Sequence, residues 1–144
     1  MEEVLAVQDL HKRFGSGSRL VRANDGITMD VKAGEVVGVL GHNGAGKTTL
    51  VNQIVGLYRP HSGSIAVGGV DVVGEPKLAR RLVSVQAQAN VPITGISPRK
   101  AIELTGRIRG GRRRAMRARA GELIDILDMG EWADKLAEKV SGGV

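Results

Sequence analysis

The stretch Val36–Thr48, VVGVLGHNGAGKT, decides how the rest of the chain is read. Its second part, Gly41 to Thr48, has the spacing G-x-x-x-x-G-K-S/T. Gly41, Gly44 and Gly46 let the backbone curl with its N–H groups inward, an anion nest with no side chain in the way. Lys47 can then reach β- and γ-phosphates, and the Thr48 hydroxyl can ligand Mg²⁺. A glycine-rich turn matches this pattern by chance about once in a hundred sequences of this length and composition. Context separates the two readings. VVGVL is a short, valine-dominated run of the kind expected of a strand buried on both faces of a parallel sheet. Helical spacing begins at Lys47, with Leu50, Val51, Ile54 and Leu57 on one stripe. Strand, phosphate loop and helix N-terminus together form the setting in which such a loop binds phosphate.

Working outward, EVLAVQDL (Glu3 to Leu10) alternates as a strand with one buried face, and a turn follows at FGSGS. Two further strands are expected at Arg19 to Ala23 and Ile27 to Val31, closed by the turn KAGE. After the first helix, HSGSIAVGGVDVV reads as a turn, a strand, a Gly-Gly hairpin turn and a strand. PKLARRLVSVQ gives a brief helix running into a strand over Leu82 to Gln86. Beyond it Ser97 can cap a helix and Pro98 can take its first position, opening a helix towards Ile108. A second stripe (Met116, Ala120, Leu123, Ile124, Leu127) and a third (Trp132, Leu136, Val140) predict two more helices.

Composition bounds what this framework can be. With 144 residues the chain fits one domain, and its only aromatics are Phe14, Tyr58 and Trp132, so the core must be aliphatic. The absence of cysteine excludes disulfides and thiolate metal sites and suits a reducing cytosol. No segment approaches the ~20 apolar residues that span a bilayer. The net charge of +6 is concentrated: Arg99 to Arg119 holds nine basic residues and one acid, a net +8, and the remainder nets −2. That stretch reads as a solvated arginine-rich face, as a contact for anionic lipid headgroups or a membrane subunit, or as a nucleic-acid site. No aromatic interleaves with the arginines for base stacking, which makes nucleic acid the least favoured of the three.

The same motifs resemble the ATP-binding-cassette (ABC) ATPases that drive transporters, over essentially the whole chain. LHKRFGSG looks like the family's adenine-stacking loop, with Phe14 where tyrosine is more usual; stacking needs a π-face, not a hydroxyl. The block from VRANDGITMDVKAGE through GLYRPHSGSI is similar to the family's phosphate-loop region, and RRLVSVQAQ to the segment ending in its Q-loop. Aligned on Leu82, Val83 and Val85, the family's glutamine falls on Gln88, with Gln86 as the rival position. Val140 to Val144, VSGGV, resembles the signature usually written L-S-G-G-Q, departing from it at Val140 and Val144. In the family this motif closes over the γ-phosphate held by a second subunit.

The resemblance implies an α/β fold, a phosphate-loop NTPase core with an antiparallel β-subdomain and a helical subdomain. Residues 1–90 would form the ATP-binding core with its β-subdomain, and 91–144 the Q-loop exit, helical subdomain and signature. The implied nucleotide-binding residues are Phe14, Val21, Gly41, His42, Asn43, Gly44, Ala45, Gly46, Lys47, Thr48 and Thr49. Lys47 and Gln88 would be catalytic, Thr48 and Gln88 would hold Mg²⁺, and Ser141, Gly142 and Gly143 would act on a partner's ATP. The family's Walker B aspartate, neighbouring glutamate and switch histidine follow the signature, so the chain is expected to stop before them and to lack its C-terminal strands. Asp125 and Asp128 do not replace them, since helical periodicity puts both on a polar helix face. His11, His42 and His61 precede the switch position and read as turn or surface residues. The implied function is the ATP-binding subunit of a transporter, with export the expected direction. It would lie on the cytoplasmic face of a membrane with a second cassette, as homo- or heterodimer, and a permease. The competing readings are a nucleotide-binding module without turnover and a soluble ABC protein acting on ribosomes or DNA.

Overall fold

Alternation over Glu3 to Leu10 does produce a strand, β1 (Glu3–Phe14), paired antiparallel with β2 (Val21–Lys32). The computed structural model describes residues 2–86 and 94–137. They belong to two compact units, Met1–Gln86 and Ala87–Val144.

In the first unit a four-stranded antiparallel sheet runs in the order β2-β1-β3-β4, with β3 (Ser62–Val67) and β4 (Val70–Asp71). The Gly68–Gly69 connection has positive φ at both residues, 53° and 75°, the backbone that a two-residue hairpin needs and that glycine adopts without strain. The two strands expected at 19–23 and 27–31 are one. Between the pairs Leu10↔Ile27 and Lys12↔Asn24, β2 spends three residues against two, so the irregularity at Asp25–Gly26 is a bulge and not a turn. A matching bulge lies on β1, between Val7↔Met29 and Leu10↔Ile27, where Asp9 takes a φ of 45°. That extra residue resets the strand's parity. Val7 and Leu10, three apart, both face the core instead of opposite sides, at 1% and 0% exposure.

Helices α1 (Lys47–Ile54) and α2 (Pro76–Leu82) complete this core, with Leu50 and Ala79 packed among Val7, Leu10, Ile65, Val67 and Val72. The segment before α1 corrects an expectation. Val36–Leu40 forms no strand, and its side chains are open to solvent, Val36 at 98% and Leu40 at 94%. A run that is apolar on both faces becomes a strand only with a neighbour to pair with, and this one pairs with no strand of the described sheet. Residues 83–86 likewise carry no strand among the described residues, although Val83 packs partly on the core.

The second unit holds α3 (Pro98–Ile108) and α4 (Arg113–Ile126). As read from the sequence, Ser97 caps α3, its Oγ accepting from the Lys100 N–H at 3.4 Å, with Pro98 in the first turn. Ala120 and Ile124 bury one face of α4. The third helix, expected around Trp132, Leu136 and Val140, does not form over the described residues 130–137; Val140 lies outside them. Short turns replace it, in which the Trp132 N–H bonds to the Met129 carbonyl and the Lys135 N–H to that of Trp132. This segment is tied to the start of α3 by Arg99 N–H to Ala133 O and Ala137 N–H to Ile96 O, both 3.0 Å.

Candidate functional site

The phosphate loop runs into α1, with Gly46 as the helix N-cap at φ 85°. A Cβ on Gly46 would fall on the Ala23 carbonyl, so this position needs glycine both for its left-handed backbone and for the close approach of β2. Gly44 is left-handed as well, at φ 88°. The backbone N–H groups of Gly44, Gly46, Lys47 and Thr48 make no hydrogen bond within the described structure. Four unpaired donors at a helix N-terminus fit an oxyanion. The Lys47 ammonium folds back over the loop and donates to the carbonyls of Gly41 at 2.7 Å and His42 at 2.9 Å. The same ammonium can turn to a phosphate oxygen, because both contacts are partly exposed single bonds on a flexible stem. His42 donates from Nδ1 to the Asn43 carbonyl at 2.8 Å, which stiffens the loop's outer edge.

Beneath the loop lies a pair of residues that the sequence reading did not single out. Asn24 on β2 and Gln53 on α1 are buried, at 3% and 0% exposure. Asn24 Nδ2 donates to the Gly46 carbonyl at 3.3 Å, and Gln53 Nε2 donates to Asn24 Oδ1 at 2.6 Å. Gln53 Nε2 also approaches the Thr49 carbonyl at 3.4 Å, and Gln53 Oε1 has no partner. The loop is thus tied from below to both the sheet and its own helix. A signal was present: Gln53 sits three residues after Leu50 on the buried stripe, and a polar residue on such a stripe needs a partner.

Phe14, at the end of β1, pairs with Val21 across the ladder. Its ring meets Tyr58 edge-on, with centroids 5.7 Å apart. Lys12 extends over both rings, 5.3 Å from Phe14 and 5.8 Å from Tyr58, while donating to the Arg59 carbonyl at 2.7 Å. Tyr58 is therefore part of the aromatic corner with Phe14, which spacing alone did not show.

The two bulges bracket His11 with carboxylates, Asp9 Oδ1 at 3.0 Å from Nε2 and Asp25 Oδ1 at 2.9 Å from Nδ1. Hydrogen bonds to Asp9 and then Asp25 raise the His11 pKa. Those from Arg22 and then His11 lower that of Asp25. Of the remaining predicted residues, Gln88, Ser141, Gly142 and Gly143 lie outside the described residues. No group of three or more His, Cys, Asp or Glu side chains that could hold a metal occurs among the described residues, and the Thr48 side chain is exposed.

A family profile described as "ABC transporter" matches residues 24–144. The chain belongs to the ABC transporter family. Among its ABC relatives, the daunorubicin/doxorubicin resistance ATP-binding protein DrrA of Streptomyces peucetius is 40% identical over 85% of this chain and 37% of its own length. A methionine import ATP-binding protein, MetN of Rhizobium johnstonii, is 32% identical over 99% of this chain and 39% of its own. The chain thus spans about two fifths of the length of these curated relatives. The fold is that of ABC cassettes. A dimeric ATP-binding cassette in a post-hydrolysis state, bound to ADP and Pi, superposes with a TM-score of 0.77 at 21% identity over 96% of this chain and 64% of that one. An ATP-binding subunit of an ABC transporter superposes at 0.80 and 24% identity, over 97% and 57%. No helix of the described residues is long and apolar enough to cross a membrane.

Proposed function

We propose that this chain is the ATP-binding part of the nucleotide-binding subunit of an ABC transporter. The observation that carries the reading is the loop of Gly41–Thr48, with four unpaired N–H donors, the helix N-terminus and the Lys47 ammonium gathered at one place. The N–H groups of Gly44, Gly46, Lys47 and Thr48 hold the β-phosphate, and Lys47 leaves its carbonyl partners for the γ-phosphate. The Thr48 hydroxyl would hold Mg²⁺, which when bound would screen the phosphate charge. Phe14 takes the base on its face, with Tyr58 supporting the ring and Val21 beside it.

By likeness to the family, Gln88 joins the metal site, and Ser141, Gly142 and Gly143 complete the ATP site of a second cassette. The whole subunit then works in pairs against a membrane permease, on the cytoplasmic face. Identity of 40% to a drug-resistance ATP-binding protein, against 32% to a methionine-import one, supports export as the direction. Turnover belongs to the complete subunit and its partner. The described residues supply nucleotide binding to that subunit.

Titration of the chain with MgATP and with adenosine tests this reading. MgATP binds, adenosine binds much more weakly, and Lys47→Ala lowers MgATP affinity by a factor of ten or more. Equal affinity for adenosine and ATP, or MgATP binding untouched by Lys47→Ala, would refute it.

A further inference from the structure

Between Leu104 and Gly121 the chain carries seven arginines and no acidic residue. The structure folds this stretch into the corner between α3 and α4. Gly110, at φ 95°, turns the chain, and the Gly110 and Gly111 N–H groups close on the carbonyls of Arg107 at 3.0 Å and Gly106 at 2.9 Å. A Cβ on either Gly106 or Gly111 would strike the Met116 side chain, so the corner is packed shut by that thioether. The arginines are displayed on a closed, hydrogen-bonded turn.

Their placement is electrostatically unfavourable for the folded chain alone. Arg112 is the N-cap of α4, and Arg113 and Arg114 follow in its first turn, where the helix end is itself positive and no acidic residue is present. Elsewhere in the unit the fold pairs its arginines: Arg99 forks onto Asp134 at 2.9 Å and Arg119 meets Glu122 at 2.8 Å. Arg107, Arg112, Arg113, Arg114 and Arg117 make no ion pair among the described residues. Beside them Ile108, the last residue of α3, is 86% exposed. An open groove of about 510 Å³ runs past it, lined by Leu104, Arg107, Ile108, Gly110, Gly111 and Arg113.

We propose that the α3–α4 corner docks on an anionic phospholipid surface. The guanidinium groups of Arg112, Arg113, Arg114 and Arg117 meet lipid phosphates, whose geometry their planar forks match. Ile108 enters the headgroup region, an aliphatic side chain ringed by cations. Two observations favour lipid over a polynucleotide: the exposed apolar residue is aliphatic, and no aromatic lies among the arginines to stack on bases. The anionic surface supplies the counter-charge that the helix end lacks. The proposal stands apart from nucleotide binding, so Lys47→Ala leaves it unchanged.

Co-sedimentation of the chain with phosphatidylcholine vesicles, with and without 30 mol% phosphatidylglycerol, is the test. Binding to the anionic vesicles and release by raised salt are expected, with little retention on the neutral ones. Each basic residue near an anionic leaflet is worth about fivefold in partitioning. Changing Arg112, Arg113, Arg114 and Arg117 together to Gln therefore weakens binding at least a hundredfold, and Ile108→Ser weakens it severalfold. Both variants retain the far-UV circular dichroism of the parent, because the altered side chains are exposed. Equal binding to neutral vesicles would assign the association to the open apolar segment Val36–Leu40 and overturn the proposal. So would parent-like binding by the Gln variant. Retention on polyglutamate or duplex DNA at a salt concentration that releases anionic vesicles would overturn it in favour of an acidic protein or a polynucleotide.

Discussion

Gln53 donates to Asn24 across 2.6 Å in the buried layer under the phosphate loop, and Asn24 passes the connection to the Gly46 carbonyl. The loop's shape is therefore set by two amides from different elements, and the pair can be dissected. Asn24→Val removes the tether and strands the Gln53 amide, at a cost of about 1–3 kcal/mol for a buried polar group left without its partner. Replacing both, Asn24→Val with Gln53→Leu, recovers much of that stability, because no orphaned amide remains. MgATP affinity stays low in the double variant, since the Gly46 carbonyl is still untethered. Chemical denaturation and nucleotide titration of the two singles and the double check both statements. Recovery of affinity together with stability would show the pair to be structural only.

Gly46→Ala is expected to be more damaging than an ordinary glycine replacement. The residue is left-handed at φ 85°, and its added methyl would meet the Ala23 carbonyl of β2. Strain at such a position costs about 1–3 kcal/mol, and relief requires the loop to pull away from β2. Phosphate binding should be lost well before the sheet melts. Gly44→Ala, left-handed but with nothing near the added Cβ, should be milder. Nucleotide titration beside thermal unfolding separates the two.

The His11 cluster gives a pH signature whose sign follows from its shifts. A raised imidazole pKa means His11 binds its proton more tightly when folded, so its contribution is full below the unfolded value of about 6.5 and fades as pH rises through the folded value. The lowered Asp25 pKa works oppositely: its contribution is present above about 3.8 and is lost as pH falls through the folded value. The cluster therefore stabilises the β1–β2 pair most between these limits. His11→Gln should flatten the dependence on the alkaline side, read from denaturation midpoints between pH 5 and 8. An unchanged slope would remove His11 as its source.

Leu10→Ala should cost about 2–5 kcal/mol, the usual range for a fully buried leucine. Val36→Ala should cost almost nothing, since that side chain is open to solvent. If Val36→Ala were equally destabilising, residues 36–40 would pack in solution as the sequence alone suggests. Denaturant midpoints of the two variants decide it.

What the sequence determined by itself is what local spacing encodes. The phosphate loop and its helix, the Gly-Gly hairpin, the Ser97 cap and the family follow from residues within a few positions of one another. Tertiary structure decided the features that depend on pairing between distant segments. A bulge at Asp9 put Val7 and Leu10 on the same face, and one at Asp25–Gly26 turned two expected strands into one. The valine-rich run before the loop, strongly strand-like in composition, forms no strand and pairs with none of the strands of the described sheet. Likewise, Asn24 falls between the two strands expected from the sequence, and only the packing of α1 against β2 makes it the tether of the phosphate loop. Hydrogen-bonding partners and strand register are properties of pairs, and a single segment carries only half of each.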